Sequence, residues 1–217
     1  MKKILIVFGT RPEAIKMAPL VKSLKNDSRF TLKVCVTGQH REMLDQVLDI
    51  FKVKPDFDLN IMSHEQSLSD ISSKILLDMQ KIYDKFFPDI VLVHGDTATT
   101  FATSLSAYYR KIKIGHVEAG LRTNDIYSPW PEEANRKLTG ALANIHFTPT
   151  INSKNNLLKE NVNAANIYVT GNTVIDALYL GKKIIDKDKV LLNSFDQKFN
   201  FLKKDRKLIL VTGHRRE

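Results

Sequence analysis

Three stretches of this sequence place carboxylates and imidazoles directly behind short apolar runs or a proline-rich turn. They are His94-Gly95-Asp96-Thr97, then His116-Val117-Glu118-Ala119-Gly120-Leu121-Arg122-Thr123, then Ser128-Pro129-Trp130-Pro131-Glu132-Glu133-Ala134-Asn135-Arg136. Two carboxylates held close together can divide general-acid and general-base work, because crowded like charges do not ionise equally readily. Asp96 and Glu118 are the candidates for such a pair. Each motif also has a structural reading. Asp96 can N-cap a helix starting near Thr97, and Pro131, Glu132 and Glu133 suit the first turn of a helix. Glu118 precedes a loop, so capping explains it less well. The i, i+2 pairs His94/Asp96 and His116/Glu118 also have ligand-like spacing for a hydrolytic metal ion, although each pair includes a cap or loop role that needs no ion.

A fourth stretch, Gly9-Thr10-Arg11-Pro12-Glu13-Ala14-Ile15-Lys16, offers cations instead. Arg11 and Lys16 at the start of a helix favour an anionic ligand, with Gly9 allowing a tight turn. No glycine pair is spaced Gly-x-Gly, so the dinucleotide fingerprint and the P-loop are both absent, which disfavours NAD or ATP bound in those ways. His214 follows the last apolar run, where it could protonate a leaving phosphate.

These motifs need rigid supports, and the hydrophobic pattern supplies them. Strands are expected at Lys3 to Phe8, Thr31 to Thr37, Ile90 to His94, Ile112 to Val117, Ile145 to Thr148 and Ile167 to Thr170. Amphipathic segments alternate with them; over 66–86, Leu68, Ile71, Ile75, Ile82 and Phe86 share one helix face. The expectation is an α/β, Rossmann-like parallel sheet with helices on both faces, whose ligands sit beyond the carboxyl ends of the strands. The run from Arg206 to Arg215 repeats the pattern of Lys2 to Arg11. We read 1–170 as one Rossmann-like domain and 171–217 as a linker helix plus the first strand of a truncated second one.

Composition removes several function classes. Hydrophobic content of 43% and charged content of 26% exclude a disordered chain. No apolar run approaches the roughly 20 residues of a membrane helix, and no secretory signal follows Met1-Lys2-Lys3, so a cytoplasmic protein without membrane partners is expected. Of the net charge of +9, most lies after residue 180, where 11 Lys and Arg face 5 Asp and Glu with no aromatics interleaved at the spacing a base-stacking platform would want. That describes a solvated lysine-rich helix and linker rather than a nucleic-acid surface. The single Cys35, in an apolar stretch, reads as a buried inert thiol.

Together with Val169-Thr170-Gly171-Asn172-Thr173 and Thr212-Gly213-His214-Arg215-Arg216-Glu217, these motifs resemble, in order and spacing, the non-hydrolysing UDP-N-acetylglucosamine 2-epimerases. The resemblance implies the N-terminal half of a GT-B fold with the active site between two domains, and a homodimer. It implies Asp96, Glu118, Glu132 and His214 as the catalytic group and Arg11, Lys16, Arg136 and Asn172 as substrate-binding residues. The family eliminates UDP to give 2-acetamidoglucal, then adds it back with the C2 proton on the other face, using no redox cofactor or metal. The family's later UDP-binding motifs are absent, so this chain alone is expected to be inactive. An activator site is implied at Gln39 and His40, but Glu42 and Glu65 stand where the family has Gln and Arg, and added negative charge opposes a pyrophosphate there. A hydrolysing epimerase and a non-catalytic UDP-binding module are the alternatives.

Overall fold

Val, Ile and Leu runs flanked by turn residues become strands because branched side chains pack well on a pleated surface. The computed structural model describes residues 1–38, 41–62, 66–203 and 205–211. Seven strands form one sheet: β1 (Lys2–Phe8), β2 (Phe30–Val36), β3 (Phe57–Asp58), β4 (Ile90–His94), β5 (Lys113–Val117), β6 (Ile145–Thr148) and β7 (Ile167–Val169). Their order is β3-β2-β1-β4-β5-β6-β7, and every pair is parallel. Six strands fall within one residue of the sequence expectation. Only β3 escaped it, because a two-residue edge strand has no alternation to read.

The helices are α1 (Arg11–Lys25), α2 (Arg41–Phe51), α3 (Leu68–Phe86), α4 (Ala98–Tyr109), α5 (Glu132–Leu142), α6 (Ile151–Lys159), α7 (Val174–Lys187) and α8 (Lys189–Lys198). Connections of parallel strands are right-handed, so reversing direction at β1 sends helices to opposite faces. Leu5, Val7, Val91, Val93 and Ile114 meet Ile71, Ile75, Met79, Ala98 and Ala102 of α3 and α4 in the main core. The expected α3 face holds except at Leu68, which is 37% exposed because it begins the first turn. On the other face, Leu20 and Leu24 of α1 border an open apolar groove of about 610 Å³ lined by Ile90, Leu92, Val117 and Phe147. Cys35 is fully buried, and burial pushes its thiol pKa up, as an inert core thiol requires.

Residues Met1–Ala177 form one compact unit and Leu178–Glu217 a second. In the second, α8 is capped by Asp188, whose carboxylate accepts from Leu191 N at 3.0 Å. The run Leu208 to Val211 is exposed and forms no strand among the described residues, since it has no neighbouring strand to pair with.

Gly120 follows β5 with φ of +85°, and a Cβ there would lie 2.2 Å from the carbonyl oxygen of Ser153 in α6. Gly120→Ala therefore combines left-handed strain with a backbone clash. We expect a loss of about 2–4 kcal/mol of unfolding free energy in urea denaturation; a loss below about 0.5 kcal/mol would contradict this close approach.

Candidate active site

The sheet order reverses between β1 and β4, and the loops leaving β1, β4 and β5 share the carboxyl edge of the sheet at that switch point. Glu118 leaves β5 with φ of +62°, a left-handed conformation costly for a residue with a Cβ. Its carboxylate accepts from Lys16 Nζ at 2.7 Å on Oε1 and 2.6 Å on Oε2, and from Asn172 Nδ2 at 2.9 Å on Oε2. Thus two residues from distant parts of the sequence, Lys16 and Asn172, converge on the Glu118 carboxylate. Lys16, expected to meet an anionic ligand, here faces an anionic side chain.

Asp96 has its own cation. Arg136 of α5 donates to Asp96 Oδ2 at 2.5 Å and to Glu133 Oε2 at 3.2 Å, while Asn135 Nδ2 holds the Asp96 main-chain oxygen at 2.8 Å. The expected cap role of Asp96 is not realised. Thr97 is the N-cap of α4, its side chain accepting from Thr100 N at 3.2 Å, which leaves the Asp96 carboxylate for Arg136. Asp96 and Glu118 make no carboxylate–carboxylate contact among the described residues; each is matched to a cation, because two bare like charges would repel. Glu132 opens α5, and Pro131 occupies its N-cap, one position before the expected first turn. Arg11, in the first turn of α1, is exposed and makes no hydrogen bond or ion pair with any described residue. Gln39, His40, Glu65 and His214 lie outside the described residues.

Glu13 is a site element that the sequence reading passed over. It is 3% exposed, and its Oε2 accepts from Gly9 N at 3.0 Å and Thr10 N at 2.7 Å, while Oε1 accepts from Thr97 Oγ1 at 2.8 Å and Thr100 Oγ1 at 3.3 Å. One side chain thus pins the β1–α1 loop to the start of α4. Burial pushes its pKa up, opposed by the hydrogen bonds from Gly9, Thr97 and Thr10. The Thr-x-x-Glu capping signature at Thr10 and Glu13 was the available signal.

Register separates the two histidine pairs. His94 lies opposite Val117 and His116 opposite Val93, so the imidazoles point to opposite faces of the sheet. The two pairs therefore do not combine into one site, and no group of three or more His, Cys, Asp and Glu placed to hold a metal ion occurs among the described residues. His116 Nε2 donates to Gly95 O at 2.7 Å, so that nitrogen carries the proton. Burial lowers the pKa of both His94 and His116 to about 3, keeping them neutral; Lys16 adds to the effect on His94.

A family model described as UDP-N-acetylglucosamine 2-epimerase matches residues 22–217. The chain belongs to this family. It is 59% identical over 220 residues to the UDP-N-acetylglucosamine 2-epimerase of Campylobacter jejuni, covering 100% of this chain and 57% of that protein. It is 60% identical to that of Escherichia coli K12, covering 99% of this chain and again 57% of the relative. The chain therefore spans little more than half the length of the curated relatives it matches. Among solved structures, the Neisseria meningitidis UDP-GlcNAc 2-epimerase bound to UDP-GlcNAc superposes with a TM-score of 0.90 at 54% identity, over 94% of this chain and 56% of that one. A galactosyltransferase, WaaB, at 12% identity and a TM-score of 0.54 shares the fold alone, and the fold is the N-terminal half of GT-B.

The neutral histidines give a pH test with a definite sign. An unfolded histidine takes up a proton near pH 6.5, whereas the folded chain leaves His94 and His116 unprotonated down to about 3. Between those values the unfolded state binds more protons, so stability falls with falling pH by up to about 1.4 kcal/mol per unit per histidine. His116→Gln should flatten the slope of unfolding free energy between pH 6.5 and 5 in urea denaturation. An identical slope in parent and variant would contradict a neutral, buried His116.

Proposed function

We propose that the protein bearing this chain interconverts UDP-N-acetylglucosamine and UDP-N-acetylmannosamine. The proton on C2 of the sugar is not next to a carbonyl, so removing it needs a good leaving group at C1. A carboxylate takes the C2 proton while the C1–O bond breaks and its electron pair departs with UDP, leaving 2-acetamidoglucal. UDP then adds back as a proton reaches the opposite face of C2. The observation that carries this reading is the placement of Glu118 and Asp96 at the carboxyl ends of adjacent central strands, each beside its own cation.

In this reading Asp96 and Glu118 stand near C2, and Glu132 positions them or exchanges protons. Arg11 and Lys16 receive the pyrophosphate charge at the start of α1, with Arg136 and Asn172 completing the substrate contacts. His214 serves the leaving group. Relatives with UDP-GlcNAc in their structures support the substrate; a cytoplasmic homodimer is part of the same proposal. The division of the chain into a first domain at 1–170 and the opening of a second at 171–217 belongs to this proposal, as does an activator site at Gln39 and His40 weakened by Glu42 and Glu65.

The full-length natural protein, incubated with UDP-N-acetylglucosamine in deuterated water, should return UDP-sugar carrying deuterium at C2. Asp96→Asn should keep the fold and lower exchange by about 10²- to 10⁴-fold. Free N-acetylmannosamine as the product would instead assign hydrolysis, and recovered UDP-sugar without deuterium would overturn the reading.

A further inference from the structure

His94 ends β4 and is 3% exposed. It sits on the face shared with Leu92 and Val117, where an aliphatic side chain would satisfy the packing. Neither ring nitrogen has a hydrogen-bond partner among the described residues, and Nδ1 and Nε2 are both shielded from solvent. Buried donors are rarely left without an acceptor, so an idle one beside a reactive group asks for a reason.

Glu118 Oε2 lies 3.8 Å from His94 Nε2, about 1 Å beyond an ordinary hydrogen-bond distance. That carboxylate is occupied: Lys16 spans both oxygens, and Asn172 holds Oε2. The charged and polar groups facing His94 are therefore Lys16 from α1, Glu118 from the end of β5 and Asn172 ahead of α7; His116 is on the other face. Lys16 also lies in the same helix as Arg11, five residues or nearly one and a half turns on, and the Arg11 guanidinium has no partner among the described residues. A pyrophosphate drawn to Arg11 carries more charge than one carboxylate and competes for the flexible ammonium.

Building on the proposed reaction, we infer that His94 is a positioning residue whose Nε2–H takes hold of Glu118 when the ligand's pyrophosphate draws Lys16 away. Glu118 then rests between two neutral donors, His94 and Asn172, instead of on an ammonium. The idle imidazole keeps the carboxylate aimed at the sugar during the part of the cycle when its cation is elsewhere. The apolar surroundings hold the imidazole in its neutral, donating form.

Full-length protein with His94→Leu and His94→Gln tests this in the epimerase assay. His94→Leu should lower kcat by on the order of 10- to 100-fold with KM within about twofold, while His94→Gln, whose amide can donate to the same oxygen, should retain kcat within about threefold. Equal losses in the two variants, or none in either, would overturn the inference. A second measurement needs neither activity nor a folded leucine variant. In the parent, saturation with UDP should move the His94 ring Nε2 proton downfield in NMR and slow its exchange with solvent; an unmoved signal would also overturn it. An inactive parent would count against the proposed reaction, and the UDP titration would still decide the role of His94.

Discussion

Negative charge gathered at one edge of a parallel sheet must be compensated where it sits, and the rest of this site follows from how that is done. All strands end on the same edge, and the helices that follow begin there, so carboxylates and anion-seeking helix N-termini crowd one surface. Glu118 is balanced by Lys16 from α1, and Asp96 and Glu133 by Arg136 from α5. The Lys16–Glu118 and Arg136–Asp96 pairs each join two different strand–helix units, while Arg136 and Glu133 share α5. The ion pairs therefore fix the loops relative to one another as well as balancing charge. The side chains involved are largely but not wholly shielded, with Lys16 22% and Glu118 12% exposed, so an incoming anion can still reach them.

Beneath those pairs lies a rigid polar base. Glu13 binds two main-chain N–H groups of its own loop and two threonine hydroxyls of α4, and His116 reaches across from β5 to the carbonyl of Gly95. These contacts lock the β1–α1, β4–α4 and β5 exits together before any ligand arrives. Pre-organisation of this kind is what lets fixed dipoles act on developing charge without reorganising during the reaction.

Much of this was legible in the sequence because sheet architecture leaves a periodic trace. Six of seven strands, and the gathering of Asp96, Glu118 and the start of α5 near the switch-point edge of the sheet, could be read from runs of Ile and Val and the polar residues behind them. Pairing was harder to see. That Lys16 would sit on Glu118, 102 positions away, depends on how α1 lies over the sheet, which no local pattern encodes. The His94/Asp96 and His116/Glu118 pairs looked equivalent in sequence, yet a one-residue offset in register sends their imidazoles to opposite faces. Thr97 rather than Asp96 caps α4, and the Asp96 carboxylate pairs with Arg136 instead.

The central claim is that carboxylates from separate strand ends meet around one carbon of a nucleotide-linked amino sugar. A crystal structure of the full-length natural protein with UDP-N-acetylglucosamine tests it most directly. The account predicts a carboxylate oxygen of Asp96 or Glu118 within about 4 Å of C2, with the pyrophosphate beside Arg11 at the start of α1. A sugar ring bound with C2 turned away from both carboxylates, or a pyrophosphate held elsewhere on the molecule, would contradict it.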